Sequence, residues 1–197
     1  MKTALKQISF KVSLTLFIVL GTVSTVFAQG ETGTATLSGV PAAGMYDYTL
    51  TLHNTGTVPI GTFWYAWVPG EFFLPSSPSS PTTPLGWSAS TPSSSGRYSV
   101  EYTASSGYAL AGGGTLSFGF TSPDTPATLA GNSPAYPGTP IGTSFLYSGG
   151  PFSDAGYQFV VQSVPEPSAL GFLGACVLGL VLAGRGKLRK WAVALHG

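Results

Sequence analysis

The middle of this sequence predicts an all-β domain, built as an antiparallel β-sandwich. Apolar and polar residues alternate with a period of two through residues 33–162, where no convincing helical period occurs. Residues typical of turns, namely Gly, Pro, Ser and Asn, separate these alternating runs. Length agrees with this interpretation, because 197 residues suit one domain once two unusual terminal segments are set aside.

Seven strands follow from the alternation. The clearest contains Tyr46, Tyr48, Leu50 and Leu52, each separated by a polar residue, and the turn Asn54-Thr55-Gly56 ends it. In chain order the predicted strands are 34–40, 46–53, 62–67, 97–103, 115–121, 142–147 and 157–161. This number suits an immunoglobulin-like sandwich, and a jelly roll is the alternative.

Two segments between the strands are predicted to be loops. Residues 75–96 are rich in Ser, Thr and Pro, a composition that cannot bury enough apolar surface to fold alone. Trp87 interrupts this stretch, so we expect it to return to the domain. Residues 124–139 form a second loop rich in Pro and Gly.

The N-terminus has the three parts of a secretory signal peptide over residues 1–28. Three lysines precede the mostly apolar run 12–20, namely Lys2, Lys6 and Lys11. Val26-Phe27-Ala28 then places small residues at the positions that signal peptidase reads, which predicts cleavage between Ala28 and Gln29. An uncleaved membrane anchor is the alternative.

The C-terminus combines an apolar run with a basic cluster. Residues 168–184 predict a transmembrane helix that is short against the roughly 20 residues needed for a bilayer. The basic residues that follow are Arg185, Lys187, Arg189 and Lys190. Positive segments resist translocation, so this cluster is expected on the cytoplasmic side of the inner membrane, with the domain on the opposite side.

The order of features at this end carries a family resemblance. Val164-Pro165-Glu166-Pro167, then an apolar helix, then a basic end at 185–190, closely resembles the PEP-CTERM sorting signal. The resemblance spans 164–190, which leaves a tail at 191–197 and an ectodomain at 29–163. It implies processing by an exosortase, a membrane-embedded cysteine transpeptidase-like enzyme of Gram-negative bacteria that make exopolysaccharide, with Pro165, Glu166 and Pro167 as the recognition motif.

Prolines also define the expected shape of this motif. Pro165 and Pro167 are incompatible with a helix interior or a central strand, and each restrains the residue before it to extended backbone. We therefore expect an exposed, extended tether between domain and membrane. A plain linker in front of a membrane helix is the alternative.

Little in the sequence points to catalysis or to a cofactor. His53 is the one histidine between the terminal segments, and it falls on the polar face of a predicted strand end. Asp47, Asp124 and Asp154 could include a calcium ligand, but no loop has the density of oxygen ligands that calcium needs, so no metal is expected. The middle carries one base, Arg97, against seven acids, which disfavours nucleic acid as a partner.

Tryptophans are the strongest candidates for a binding surface. Trp64, Trp67 and Trp87 are predicted mainly to fill the core, and exposed rings that stack on glycans are the alternative. Strand alternation places Trp64 and Trp67 on opposite faces. The sequence as a whole predicts an exported, non-enzymatic protein of the cell surface or extracellular matrix, associated with exopolysaccharide or biofilm. The alternatives are a carbohydrate-binding module and, third, a polysaccharide hydrolase.

Overall fold

A computed structural model describes residues 30–164 of the chain. The predicted signal peptide 1–28, with its predicted cleavage site between Ala28 and Gln29, lies outside the described residues. So does everything from Pro165 onward: the motif residues Pro165, Glu166 and Pro167, the predicted helix 168–184, the basic residues Arg185, Lys187, Arg189 and Lys190, and the tail 191–197.

The described residues form an all-β fold with almost no helix, as predicted. The first strands along the chain are β1 (Gly33–Ala42), β2 (Met45–Asn54), β3 (Thr62–Tyr65), β4 (Trp67–Val68), β5 (Glu71–Phe72), β6 (Ser79–Thr82) and β7 (Trp87–Ser90). The next are β8 (Ser93–Ser94), β9 (Arg97–Tyr98), β10 (Val100–Ala104) and β11 (Thr115–Ser122). A short helix α1 (Pro126–Leu129) precedes β12 (Thr143–Tyr147), β13 (Tyr157–Val160) and β14 (Gln162–Ser163).

Ten of the strands form two sheets of five. The first sheet has the order β14-β1-β2-β11-β6, and the second has the order β13-β12-β3-β10-β7. All pairings within them are antiparallel except that of β14 with β1. Two short pairs, β4 with β5 and β8 with β9, complete the strands of the described residues.

The β1–β2 hairpin is the longest pairing and sets the register of the first sheet. It runs from Gly33 opposite Asn54 to Ala42 opposite Met45. The two connecting residues, Ala43 and Gly44, have φ angles of 47° and 84°. Positive φ at both central positions is the requirement of the tight two-residue turns that match strand twist, so the hairpin closes without a longer loop.

Aromatic side chains from both five-stranded sheets share one buried cluster. Phe118 of the first sheet lies 5.8 Å from Phe63 and 4.6 Å from Tyr102 of the second, measured between ring centroids. The Tyr102 hydroxyl donates a hydrogen bond of 3.0 Å to the Gly119 carbonyl of the first sheet. Aromatic burial and this hydrogen bond therefore hold the two sheets in direct contact.

The segment 75–96 is more regular than predicted, because it contributes β6, β7 and β8. Trp87 returns to the domain, as expected: it is buried, and its indole N–H donates to the Tyr108 carbonyl at 3.0 Å. The predicted loop 124–139 contains α1, whose N-cap hydroxyl on Thr125 accepts from the Thr128 N–H. Strand β6 pairs with β11, and β7 pairs with β10. These pairings order the two strands, although their composition alone predicts a loop.

The end of the described chain is tied to the first sheet. Strand β14 runs parallel to β1, with Gln162 opposite Thr36 and Ser163 opposite Leu37. The Val164 N–H then donates to the Leu37 carbonyl at 2.8 Å. Ordered backbone pairing thus continues to the last described residue, directly before the proline-containing motif.

Candidate functional site

Aromatic side chains collect on the outer face of the second sheet. Trp64, Trp67, Phe145 and Tyr147 form a buried group separate from the main core, and we call it the outer aromatic cluster. Trp64 and Trp67 stack with ring centroids 3.7 Å apart and planes at 10°. The Trp64 indole N–H donates to the Ser99 hydroxyl at 3.0 Å, so its polar atom is satisfied within the cluster.

The prediction that Trp64 and Trp67 lie on opposite faces is wrong. Ala66 between them has a φ of 57°, which ends β3 and interrupts the alternation of side chains. Its N–H donates to the Ser144 hydroxyl, and its carbonyl accepts from the Phe73 N–H. These two bonds hold the irregular residue in place and turn both indoles toward the same side.

All three predicted tryptophans are buried. Trp64 and Trp87 are each 7% exposed and Trp67 is 2% exposed, so they present no exposed row of rings to a glycan. Trp87 belongs to the main core rather than to the outer aromatic cluster. The structure therefore places these residues in packing roles and does not bring the three together.

Phe152 covers the outer aromatic cluster from the loop between β12 and β13. Its ring lies 6.0 Å from Trp64, 5.7 Å from Trp67 and 5.6 Å from Tyr147, measured between centroids. The residue is nevertheless 62% exposed and has a φ of 61°. A bulky residue in this left-handed region is strained, so surrounding contacts must hold it.

Asp154 supplies those contacts by organising the loop. Its carboxylate accepts from the backbone N–H groups of Ser148 at 2.9 Å and Gly156 at 2.8 Å. It also accepts from the hydroxyls of Ser148 and Ser153. One side chain thus ties both ends of residues 148–156 together with Phe152 between them, a segment we call the capping loop.

A second carboxyl group, Glu31, meets Asp154. Glu31 is only 3% exposed, and burial raises its pKa above the ordinary value, with the Asp154 charge adding to the rise. Burial alone would raise the pKa of Asp154 too, but hydrogen bonds from Ser148 and Gly156 outweigh it and lower that pKa. Glu31 therefore holds a proton more readily than Asp154 does.

This carboxyl pair lies beside the capping loop. The Asp154 charge raises the pKa of Glu31, so the two carboxyl groups are close neighbours. Their neighbour Tyr147 has a pKa raised by burial and by both acids. The arrangement can close a loop and respond to pH.

The other residues considered from sequence lie apart from this cluster. The His53 Nδ1 lies 3.0 Å from both the Gly114 carbonyl and the Thr115 hydroxyl, which connects two neighbouring strands. Asp124 accepts from the Ser76 hydroxyl at 2.7 Å, and Asp47 is exposed on β2. Within residues 30–164, no group of three or more metal-ligating side chains comes together.

An apolar cavity lies at the other end of strand β1 from Glu31. It has a volume of about 600 Å³ and lies beside α1 and the end of the β1–β2 hairpin. Its lining includes Pro41, Tyr46, Pro126, Ala127, Ala130 and Val164, and we call it the α1 groove. A smaller, polar cavity of about 290 Å³ contains Arg97.

Sequence reasoning missed Glu31, Phe152 and the α1 groove. Glu31 and Asp154 are 123 positions apart, so no local spacing reveals their pairing. Phe152 stands in a Gly- and Ser-rich stretch where a lone aromatic was the available signal. Neither the comparison with protein-family models nor that with curated proteins gives a match for this chain. Among the described residues, no helix is long and apolar enough to span a bilayer.

Proposed function

We propose that this chain is an exported, non-enzymatic protein of the cell surface or extracellular matrix, sorted through its C-terminal motif. The observation that carries the proposal is where the fold ends. Strand β14 finishes at Ser163, and the Val164 N–H beyond it donates to the Leu37 carbonyl. An enzyme acting at Pro165-Glu166-Pro167 would therefore separate the domain from the predicted membrane segment and leave every strand of residues 30–164 on the domain.

The proposed architecture is an antiparallel β-sandwich. Contacts of Phe118 with Phe63 and Tyr102 support it, because they join inward-facing side chains of the two five-stranded sheets. Two sheets packed face to face form a hydrophobic core from their inward-facing side chains, without a metal or a disulfide. Immunoglobulin-like and jelly-roll connections remain the two forms proposed.

The outer face of the first sheet supports a hydrated environment. Thr36, Ser38, Thr49 and Ser117 are all exposed along it. Hydroxyl side chains offer donors and acceptors to water and to polymer hydroxyl groups alike. We therefore propose exopolysaccharide as the medium in which the domain works, with signal peptidase, exosortase and the inner membrane as its partners during export.

Intact-mass analysis of the protein from its native host tests the proposal. Strains with and without the exosortase are compared, and each expresses either the wild-type chain or the motif variant Glu166→Ala. Loss of residues 1–28 in both strains is expected, with a break near 165–167 only in the strain that has the enzyme. The substitution is expected to reduce that break.

Glu101→Ala is the matched control, since Glu101 is an acid of the domain far from the motif in sequence. It should be processed like the wild type. A full-length C-terminus in both strains would contradict sorting and leave a tail-anchored membrane protein.

A further inference from the structure

Arg97 is the single Lys or Arg side chain of residues 30–164. The acids of the same segment are Glu31, Asp47, Glu71, Glu101, Asp124 and Asp154. Glu101, Asp124 and Asp154 accept hydrogen bonds from hydroxyl groups rather than from a guanidinium. Among the described residues, the Arg97 guanidinium has neither a hydrogen-bond partner nor an ion-pair partner. This cation is therefore available to an anion from outside residues 30–164.

Arg97 is half-buried in the wall of the polar cavity of about 290 Å³, which we call the Arg97 cavity. The wall also includes the hydroxyl side chains of Ser94 and Ser95 and the rings of Phe72 and Tyr136. None of the residues that line this cavity is acidic. Small-molecule sites begin at about 300 Å³, so the volume suits a ligand no larger than one sugar ring.

Tight backbone pairing holds the cationic part of this wall in place. Arg97 belongs to the β8–β9 hairpin, whose turn residues Ser95 and Gly96 have φ angles of 52° and 71°. The next residue, Tyr98, exchanges two backbone hydrogen bonds with Leu74, at 3.0 and 3.1 Å. The backbone of Arg97 is thus fixed between a two-residue turn and a pairing with a distant segment, which lowers the cost of ordering it around a ligand.

The polar groups of the Arg97 cavity match a carboxylate together with alcohol groups. A guanidinium presents its N–H donors in a planar fork, which fits the two oxygens of a carboxylate. The hydroxyls of Ser94 and Ser95 can each donate and accept, as the hydroxyls of a sugar require. Within residues 30–164 neither hydroxyl has a hydrogen-bond partner, so binding a ligand would break no bond of theirs.

An aromatic ring in the same wall favours a ligand with an apolar face. The Tyr136 ring meets Phe73 edge-on, with centroids 5.4 Å apart and planes at 87°, so the buried Phe73 fixes its orientation. A tyrosine offers an apolar ring body beside a polar hydroxyl, and a pyranose likewise combines apolar C–H groups with hydroxyls. An inorganic anion such as phosphate has no face to place against this ring.

We propose that the Arg97 cavity binds one uronic acid unit of an acidic saccharide. The carboxylate bonds the Arg97 guanidinium, the pyranose ring lies against Tyr136, and the sugar hydroxyls bond Ser94 and Ser95. The choice of a saccharide rests on the proposed association with exopolysaccharide, whereas recognition of a carboxylate rests on Arg97.

The net charge of the domain limits which polymer it can hold. One base against six acids gives residues 30–164 a net charge of −5, counting histidine as neutral. A polymer with a carboxylate on every sugar would be repelled by these acids beyond the single contact at Arg97. The site therefore suits a polysaccharide whose uronic acid units are widely spaced among neutral sugars.

Nuclear magnetic resonance of the full-length chain, labelled with ¹⁵N-arginine and purified in a neutral detergent, tests the proposal. The chain has three arginines, Arg97, Arg185 and Arg189, and loss of one Nε–H signal in Arg97→Lys assigns that of Arg97. Sodium glucuronate, sodium acetate and glucose are titrated separately at the same ionic strength. Glucuronate supplies both the carboxylate and the ring, whereas each of the other two supplies only one.

Glucuronate should shift the Arg97 signal to saturation with a Kd at least about tenfold below those of acetate and glucose, because it alone satisfies every part of the wall. The Arg185 and Arg189 signals should respond alike to glucuronate and acetate. Equal Kd values for glucuronate and acetate at Arg97 would overturn recognition of the sugar. An Arg97 signal that no carboxylate shifts would overturn the site itself.

Filling the cavity checks where the saccharide binds. Ala135→Trp, at an exposed position of the cavity wall, should raise the Kd of glucuronate about tenfold by occupying the space of the ring. Ala127→Trp is the matched control, since Ala127 is an exposed alanine of the α1 groove, and it should leave the Kd unchanged. An unchanged Kd with Ala135→Trp, or an equal rise in both variants, would overturn binding in the cavity.

Failure of this inference is distinguishable from failure of the proposed sorting. Sorting is measured by the mass of the C-terminus in strains with and without the exosortase, and the titration needs no processing enzyme. A processed chain whose Arg97 signal is insensitive to glucuronate would overturn the inference alone.

Discussion

The outer faces of the two five-stranded sheets are built from opposite kinds of residue. The first sheet shows hydroxyl side chains to water, and β1 alternates between buried and exposed residues along most of its length. In the second sheet every residue of β3 and β12 is buried. A sheet covered on both faces loses the alternation that marks a half-exposed one.

This difference shows that an aromatic outer face must be covered by another part of the chain. Side chains as large as Trp64 and Trp67 need cover, and the capping loop supplies it through Phe152. That loop has few apolar residues of its own, so its order comes from the Asp154 hydrogen bonds. The polar face of the first sheet needs no such cover, because water satisfies its hydroxyls.

The largest expected effect contrasts the two faces directly. Trp67→Ala removes a ring that is 2% exposed, and loss of a buried aromatic side chain costs about 3–5 kcal/mol. Thr49→Ala on the exposed face of the first sheet should change stability by no more than about 0.5 kcal/mol. Urea unfolding monitored by far-ultraviolet circular dichroism measures both, and equal costs would show that the outer aromatic cluster contributes nothing special.

The next effect compares the cluster with the main core. The Tyr65 hydroxyl in the core is buried and has no hydrogen-bond partner among residues 30–164, whereas the Trp64 indole is bonded to Ser99. Burial also raises the pKa of Tyr65 far above its usual range. Tyr65→Phe should stabilise the domain by about 1–2 kcal/mol, because it removes a desolvated polar atom without changing the packing.

Thermal unfolding of Tyr65→Phe beside Ser99→Ala checks this expectation. The second variant leaves the Trp64 indole without its partner and should lower the melting temperature. A lower melting temperature for Tyr65→Phe would show that its hydroxyl makes a bond that matters.

Sequence pattern was sufficient where one face of a strand is in water. The predicted strand 46–53 corresponds to β2, and 115–121 corresponds to β11. The sequence pattern was insufficient where a strand forms only because it pairs with a distant one. Strand β6 (Ser79–Thr82) is an example, since all four of its residues are exposed and it pairs with β11. The positive φ of Ala66 left no trace in composition, so the shared side of the two indoles could not be foreseen.

In the candidate site, too, the sequence reveals residues that stand out by type but not those that only the fold brings together. Aromatic content drew attention to Trp64 and Trp67, because large rings are visible in any sequence. Glu31 and Asp154 looked like isolated acids, since their contact depends on how the residues before β1 meet the loop after β12. The α1 groove depends on where a four-residue helix packs, and its sequence has no helical period to reveal it.

The carboxyl pair gives a pH test of the capping loop. The pKa of Glu31 is raised on folding, so its contribution to stability is complete below its ordinary pKa and is lost as pH rises through the raised value. The pKa of Asp154 is lowered, so its contribution is lost as pH falls through that lower value. Glu31→Gln keeps a donor for Asp154 and should remove only the loss on the alkaline side.

Urea unfolding across a pH series, from below the Asp154 pKa to neutral pH, measures these slopes. Asp154→Asn is the counterpart, because it should remove the loss on the acidic side while weakening the loop at every pH. Tyr147 also faces the pair, and Tyr147→Phe controls for its hydroxyl. Identical pH profiles for the wild type and Glu31→Gln would show that the pair does not share its proton.

The smallest effect on stability is expected at Phe152 itself. Its ring is 62% exposed, so Phe152→Ala should cost less than about 1 kcal/mol. The same change uncovers Trp64 and Trp67, and acrylamide should then quench tryptophan fluorescence more strongly than in the wild type. Leu85→Ala is the matched control, since Leu85 is an exposed apolar residue, 83% exposed, that is not part of the cluster.

A third variant separates cover from strain at this position. Phe152→Gly uncovers the rings equally but removes the strain of a side chain at a φ of 61°. Acrylamide should therefore quench its tryptophan fluorescence as strongly as that of Phe152→Ala. Phe152→Gly should nevertheless be the more stable of the two variants by about 0.5–1 kcal/mol. If acrylamide quenches the fluorescence of both variants no more strongly than that of the wild type, another part of the chain covers the indoles. The aromatic face would then be closed by more than the capping loop.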